Sequence, residues 1–287
     1  MKLLVAVDEN PYSRYAVGQA ARLAANTWAD VVMLAVEKSR AYLDEGDLDQ
    51  AHAHPKTTTL SRYRADFLGA IGPEADIYGQ AQDVAFGRSG DMLEADASGR
   101  KSMTLRVRSG NPVKAIVAEA KASGSDLIIL GSSQHEGGWG RGSDVPGKVA
   151  DAAACSVFVL RENVVPSKVV CCLDHAHVTQ ESLELINQCV TQYGAELEVV
   201  GVLKHGELRE EVDAKMSEVL DYYLDRDVRA LVRVVNEDDL EPFIESGDSD
   251  DLMALWLPPK SPLQKLLPGH RVASLVNHAS ASILILR

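Results

Sequence analysis

Residues 131–143, GSSQHEGGWGRGS, carry the densest run of groups able to hold an anion in this chain. Gly131 and the pair Gly142-Ser143 offer bare backbone, N–H groups and a hydroxyl, which are what a ribose or a phosphate needs, and Arg141 and Lys148 add positive charge. The same glycines would serve a plain surface loop equally well. The segment GSDVPGKV, Gly142 to Val149, nearly spells the phosphate loop G-x-x-x-x-G-K-[ST], but Val149 stands where the Mg²⁺-binding hydroxyl belongs. A phosphate loop of that kind also follows its strand directly, whereas here the apolar run ends far upstream at Leu130.

Other groupings are weaker. Asp174, His175 and His177 follow Cys171 and Cys172, all residue types that ligate metals. Alternation along a strand turns adjacent cysteines to opposite faces, so these read as two buried strand cysteines and two loop histidines, the alternative being a zinc or copper site. His52 and His54 lie in a polar stretch and read as solvated loop residues. There is no G-x-S-x-G elbow and no assembled nucleophile and base, so no catalytic residue is assigned.

The elements that must position the glycine loop come next. Leu127 to Leu130 before it and Val157 to Leu160 after it are apolar at consecutive positions, the pattern of parallel strands covered on both faces. The loop then sits at a strand's carboxyl end, where open α/β sheets bind ligands. Upstream, Leu3 to Val7, Val31 to Val36 and Leu105 to Arg108 read as further strands. Small apolar residues at helical spacing, Ala16 to Ala24, join the first two. Asn111-Pro112 starts a helix that Gly124 closes. Glu37 to Lys101 reads as one or two helices, one near Leu60 to Ile71, and a surface excursion.

The order then repeats. Val169 to Leu173 ends on Asp174 as Leu3 to Val7 ends on Asp8, and SILILR at the end of the chain echoes SVFVLR at 156–161. This predicts an α/β chain of two tandem domains, 1–163 and 164–287, each an open parallel five-stranded sheet with helices on both faces, Rossmann-like. The 287 residues, 46% hydrophobic and 25% charged, are enough for two cores. A net charge of −13 argues against a nucleic-acid or anionic-membrane surface. No apolar run is long enough for a membrane span, and four cysteines without paired spacing suggest a reduced, cytoplasmic protein.

The strand ends VAVD and CCLD, the turn GNP at 110–112, the run DLIILGS at 126–132 and AACSVFVLR at 153–161 together resemble the universal stress protein family, in its tandem-domain form. The resemblance implies an adenine nucleotide alpha hydrolase-like fold and a stress-response or regulatory module. It implies ATP or another adenine nucleotide, with Mg²⁺ in some cases, as ligand of the first domain. Asp8 and Val36, with Ala6 and Val7 beside them, would line the adenosine end. Gly131, between Leu130 and Ser132, would face the ribose, and Gly142-Ser143 the phosphates, with Gln134 and Arg141 completing the set. Family members that bind nucleotide carry G-x2-G-x9-G-[ST], and here Gln134 replaces the second glycine and the spacing is two residues short.

The second domain departs further. Trp256 and Pro259 stand at the glycine positions and His270 follows Gly269, so its expected job is structural. The resemblance also implies that the final strands pair, here within one chain as a pseudo-dimer, with further homodimerisation and a regulatory protein partner left open. A slow ATP hydrolase using the same pocket and a nucleotide-free interaction scaffold are the alternatives.

Overall fold

Consecutive apolar residues become strands buried along their length in this computed structural model, which describes residues 1–38, 54–79, 84–133, 139, 144–161, 165–173, 178–206, 208–257, 267 and 269–287. The chain divides into two compact units, Met1–Glu162 and Asn163–Arg287. In the first, β1 (Lys2–Val7) pairs in parallel with β2 (Asp30–Glu37) on one side and β6 (Leu127–Ser132) on the other. β5 (Met103–Ser109) extends the sheet beyond β2, and β7 (Ser156–Arg161) beyond β6. Leu3, Leu4, Ile128 and Ile129 are fully buried, and each such side chain contributes about 1.5–3 kcal/mol through the apolar surface it removes from water.

Helices follow from the same local rules. α1 (Tyr12–Thr27) buries Ala16, Val17, Ala20, Ala21 and Ala24, small residues that let it lie close to the sheet. α2 (Pro55–Ile71) packs on α1 and β2. α3 (Pro112–Ser123) starts as its sequence suggests, with the Asn111 side chain accepting from Lys114 N and Gly124 closing it at φ 64°. α4 (Val145–Ala152) leads into β7.

One element departs from the five parallel strands expected of this unit. β3 (Gly87–Ser89) and β4 (Met92–Asp96) form a hairpin that runs antiparallel to β5, making seven strands among the described residues. The turn uses Gly90 at φ 62°. Leu93 and Ala95 point to the core while Glu94, directly opposite Arg106, ion-pairs with it at 2.7 Å. Alternation over so few residues is too brief to stand out in a polar stretch.

The second unit repeats the parallel order. β8 (Lys168–Leu173) lies between β9 (Glu196–Leu203) and β11 (Asp251–Trp256), with β10 (Ala230–Asn236) beyond β9 and β12 (Ser282–Leu286) beyond β11. Its helices are α5 (Gln180–Tyr193), α6 (Arg209–Leu224), α7 (Leu240–Glu245) and α8 (Gly269–His278). No helix among the described residues is long and apolar enough to cross a membrane.

Candidate functional site

The turn between β1 and α1 is organised by one carboxylate. Asp8, buried, accepts from Asn10 N at 3.0 Å, Asn10 Nδ2 at 2.8 Å, Ser13 Oγ at 2.9 Å, the Tyr12 hydroxyl, and Trp139 N at 3.3 Å. Burial, reinforced by the Asp8 charge, pushes the Tyr12 phenol far up, so Tyr12 stays a donor to Asp8. Its oxygen in turn accepts from Trp139 N at 2.6 Å.

Trp139 is the one large apolar side chain of the glycine loop, and it is buried. Its backbone adopts a left-handed φ of 54°. The indole Nε1 donates to the Gly131 carbonyl at 3.0 Å, and the ring stacks near Tyr12 at 6.3 Å and 29°. The crevice between β1 and β6, where the strand order reverses, is therefore closed by an indole. An open sheet's ligand would ordinarily enter there.

Beside Trp139 a cleft of about 380 Å³ remains open over the ends of β1 and β2 and the start of α3. Val7, Val36 and Pro112 give it apolar walls, while Asp8, Glu9, Glu37, Lys38 and Lys56 supply charge. Lys38 Nζ donates to Trp139 O at 3.2 Å, and Lys56 Nζ meets Glu9 Oε1 at 2.5 Å. Burial raises the Glu9 carboxyl, but the bond and charge of Lys56 outweigh it and hold the group below its ordinary range. The cleft thus joins an apolar bed, able to take a flat ring, to a rim of mixed charge on which three carboxylates accompany the two ammonium groups.

The residues expected at a nucleotide site separate into three groups. Val7, Asp8 and Val36 line the cleft, although Asp8 spends its oxygens within the turn. Ala6 and Leu130 are fully buried in the sheet. Gly131 lies against α1, where an added Cβ would come within 2.3 Å of Tyr12 O, and Ser132 Oγ accepts from Arg161 at 2.9 Å. Gln134, Arg141, Gly142 and Ser143 lie outside the described residues, as do Asp174, His175, His177 and His52. Among the described residues no three metal-ligating side chains gather. Burial pushes the Cys172 and Cys189 thiols up to about 12, and Cys171 well above its ordinary value, so all three are inert.

Sequence reasoning missed Lys38, Lys56 and Trp139 as site residues, and it also misread His54. Instead of lying in a solvated loop, His54 is buried and caps α2, its Nδ1 accepting from Lys56 N at 3.1 Å. Burial lowers its pKa below the ordinary 6.5, Lys56 adding to the effect against the opposing charges of Glu37 and Glu9. The unfolded chain therefore takes up this proton first. The stability held by neutral His54 is complete above pH 6.5 and is lost as pH falls from there through the depressed folded value. Urea midpoints at pH 7.5 and 5.5 should show a drop in the wild type that His54→Asn, which keeps an acceptor at the cap, largely removes. The effect should not exceed the value of a cap, about 1 kcal/mol.

Register places Trp256 of β11 where Gly131 stands in β6, and Trp256 is fully buried.

A repeated open, mostly parallel sheet with helices packed on it defines a doubly wound α/β class of protein. Within that class the chain belongs to the universal stress protein family, whose model matches residues 1–161. A universal stress protein from Archaeoglobus fulgidus DSM 4304 superposes with a TM-score of 0.61 at 12% identity, covering 100% of this chain and 96% of its own. A putative universal stress protein from Pseudomonas aeruginosa UCBPP-PA14 gives 0.56 at 15%, covering 99% and 92%. Both likenesses therefore extend the fold over the tandem chain. No curated protein sequence matches this chain significantly.

Proposed function

We propose that the first unit binds an adenine nucleotide in the cleft beside Trp139 and that the chain is a non-enzymatic stress-response or regulatory module. The second unit is structural in this reading, and a regulatory protein partner reads the bound state. The carrying observation is the cleft itself, about 380 Å³, with Val7, Val36 and Pro112 as an apolar bed and two lysines at its edge. The base would rest on the apolar walls, and Lys38 and Lys56 would offer charge to the phosphates. Pairing of the two final strands within one chain, expected from the apolar runs SVFVLR and SILILR, belongs to the same proposal.

A nucleotide-free scaffold is favoured by a different observation, the indole of Trp139 on the Gly131 carbonyl. One experiment separates the readings. The purified chain is analysed by native mass spectrometry, then denatured, and the small molecules released are identified. The expected result is a monomer that releases ATP, ADP or AMP, with loss of nucleotide in Lys56→Glu and Val36→Phe. Added ATP with Mg²⁺ at a hundred times its Kd should stabilise the folded chain by about 2.7 kcal/mol. No released nucleotide and no thermal shift at millimolar ATP would leave the scaffold, and steady turnover would make the protein a hydrolase.

A further inference from the structure

The two units differ at one edge of their sheets. In the first unit β5 pairs with β2 on one side and with the β4 strand on the other. Its counterpart in the second unit, β10, pairs with β9 alone among the described residues and ends the sheet. Leu231 and Val232 on β10 are 63% and 43% exposed. A strand edge with unsatisfied N–H and C=O groups and apolar side chains is a template for another strand.

The register says which residue of β10 stands where. Val5 of β1 faces Met33, and Cys171 of β8 faces Val199, so Leu34 and Val200 are equivalent. Arg106 lies opposite Leu34 and Arg233 opposite Val200, which places Arg233 in the position of Arg106. Arg106 is held from two sides, by Glu119 beneath and by Glu94 across the antiparallel pair. Arg233 uses Nε on Glu198 at 2.6 Å and lies 5.3 Å over the Phe243 ring, yet its side chain remains 56% exposed. The place that Glu94 fills beside Arg106 is filled beside Arg233 by no described residue.

We infer that the edge of β10 takes up an antiparallel β-strand of a partner protein, one with a carboxylate opposite Arg233 and apolar neighbours on either side of it. The first unit supplies the pattern. Leu93, Glu94 and Ala95 of β4 face Val107, Arg106 and Leu105, whose counterparts in β10 are Val234, Arg233 and Val232. A second copy of β10 fits less well. Residues 230–236, ALVRVVN, hold no acid, so no two-fold pairing of this strand with itself gives Arg233 a carboxylate, and centring the pair on residue 233 sets arginine against arginine. This inference concerns a different unit from the nucleotide cleft and does not depend on it.

The probe is a cyclised, fluorescein-labelled peptide carrying the sequence of residues 87–96, titrated against the full chain by anisotropy. Saturable binding is expected, with amide shifts in the NMR spectrum confined to β10 and its neighbour β9. Glu94→Lys in the peptide should weaken binding about tenfold, and Arg233→Glu in the chain should reverse that preference. If Arg233→Glu fails to fold beside Glu198, Leu231→Asp keeps the test, because this exposed position is opposite the peptide's acidic end and should weaken binding several-fold. Failure to saturate at millimolar peptide, or indifference to these charge changes, would overturn the inference. So would sedimentation showing that the chain dimerises in a way Leu231→Asp abolishes, since the occupant would then be a second copy.

Discussion

Glu119→Ala is expected to destabilise the N-terminal unit by about 3–5 kcal/mol, the scale of breaking a buried ion pair from one side. Glu119 lies on α3 and is completely buried, accepting from Arg106 and, at 2.5 Å, from Arg108 Nε on β5. Burial alone would lower the Arg106 guanidinium pKa, but Glu119 and Glu94 outweigh it and raise it. Removing the carboxylate leaves Arg106 with Glu94 alone and takes the Glu119 acceptor from Arg108, both arginines being only roughly a fifth exposed. The geometry of α3 depends on the same pair, and α3 begins with Pro112, a wall of the cleft. Urea unfolding of the N-terminal unit's transition checks this. Replacing the group together, Glu119→Leu with Arg106→Met and Arg108→Leu, should recover most of the loss, because apolar residues of similar volume carry no desolvation cost. A loss below about 1 kcal/mol in the single variant would mean that water reaches the arginines and that this network is of the ordinary surface kind.

That network also marks where sequence reading ends. The parallel strands β1, β2, β6, β7, β8 and β12 were legible because their apolar runs are continuous, and α3 was legible because Asn111, Pro112 and Gly124 are local signals. Arg106 and Arg108 alternate with Leu105 and Val107 and so gave a strand, but nothing local says that a helix will bring Glu119 down onto them. The β3–β4 hairpin was hidden for the same reason, since its support is the pairing of Glu94 with Arg106 across the sheet. In the candidate site, Val7, Asp8 and Val36 were readable as strand-end residues. Lys56 and Trp139 were not, because closure of the chain brings them to Glu9 and Asp8, 47 and 131 residues away. α2 was only partly readable, since it buries Thr57, Thr59 and Arg64 along with its apolar residues and so blurs its own periodicity.

Gly131→Ala is the second substitution expected to have a large effect, and it separates two reasons for a glycine. A glycine needed only for a ligand's approach could become alanine in the ligand-free chain at little cost. Here the added Cβ would lie 2.3 Å from Tyr12 O, 2.6 Å from its carbonyl carbon and 2.8 Å from Cδ2. Two of those atoms are backbone in the first turn of α1, so no rotamer change relieves the contact and the helix start must move. Overpacking costs about 1–3 kcal/mol and occasionally more, and an immovable backbone places this case at the top of that range. The same movement would pull the Tyr12 hydroxyl from Trp139 N and disturb the Asp8 turn that borders the cleft. Gly18→Ala, in the same helix with nothing within 4 Å of the new methyl group, is the internal control and should stabilise by about 0.5–1 kcal/mol. If Gly131→Ala instead unfolds like the wild type while losing bound nucleotide, the glycine serves the ligand alone. The second unit argues for packing: there the position of Gly131 carries the buried indole of Trp256.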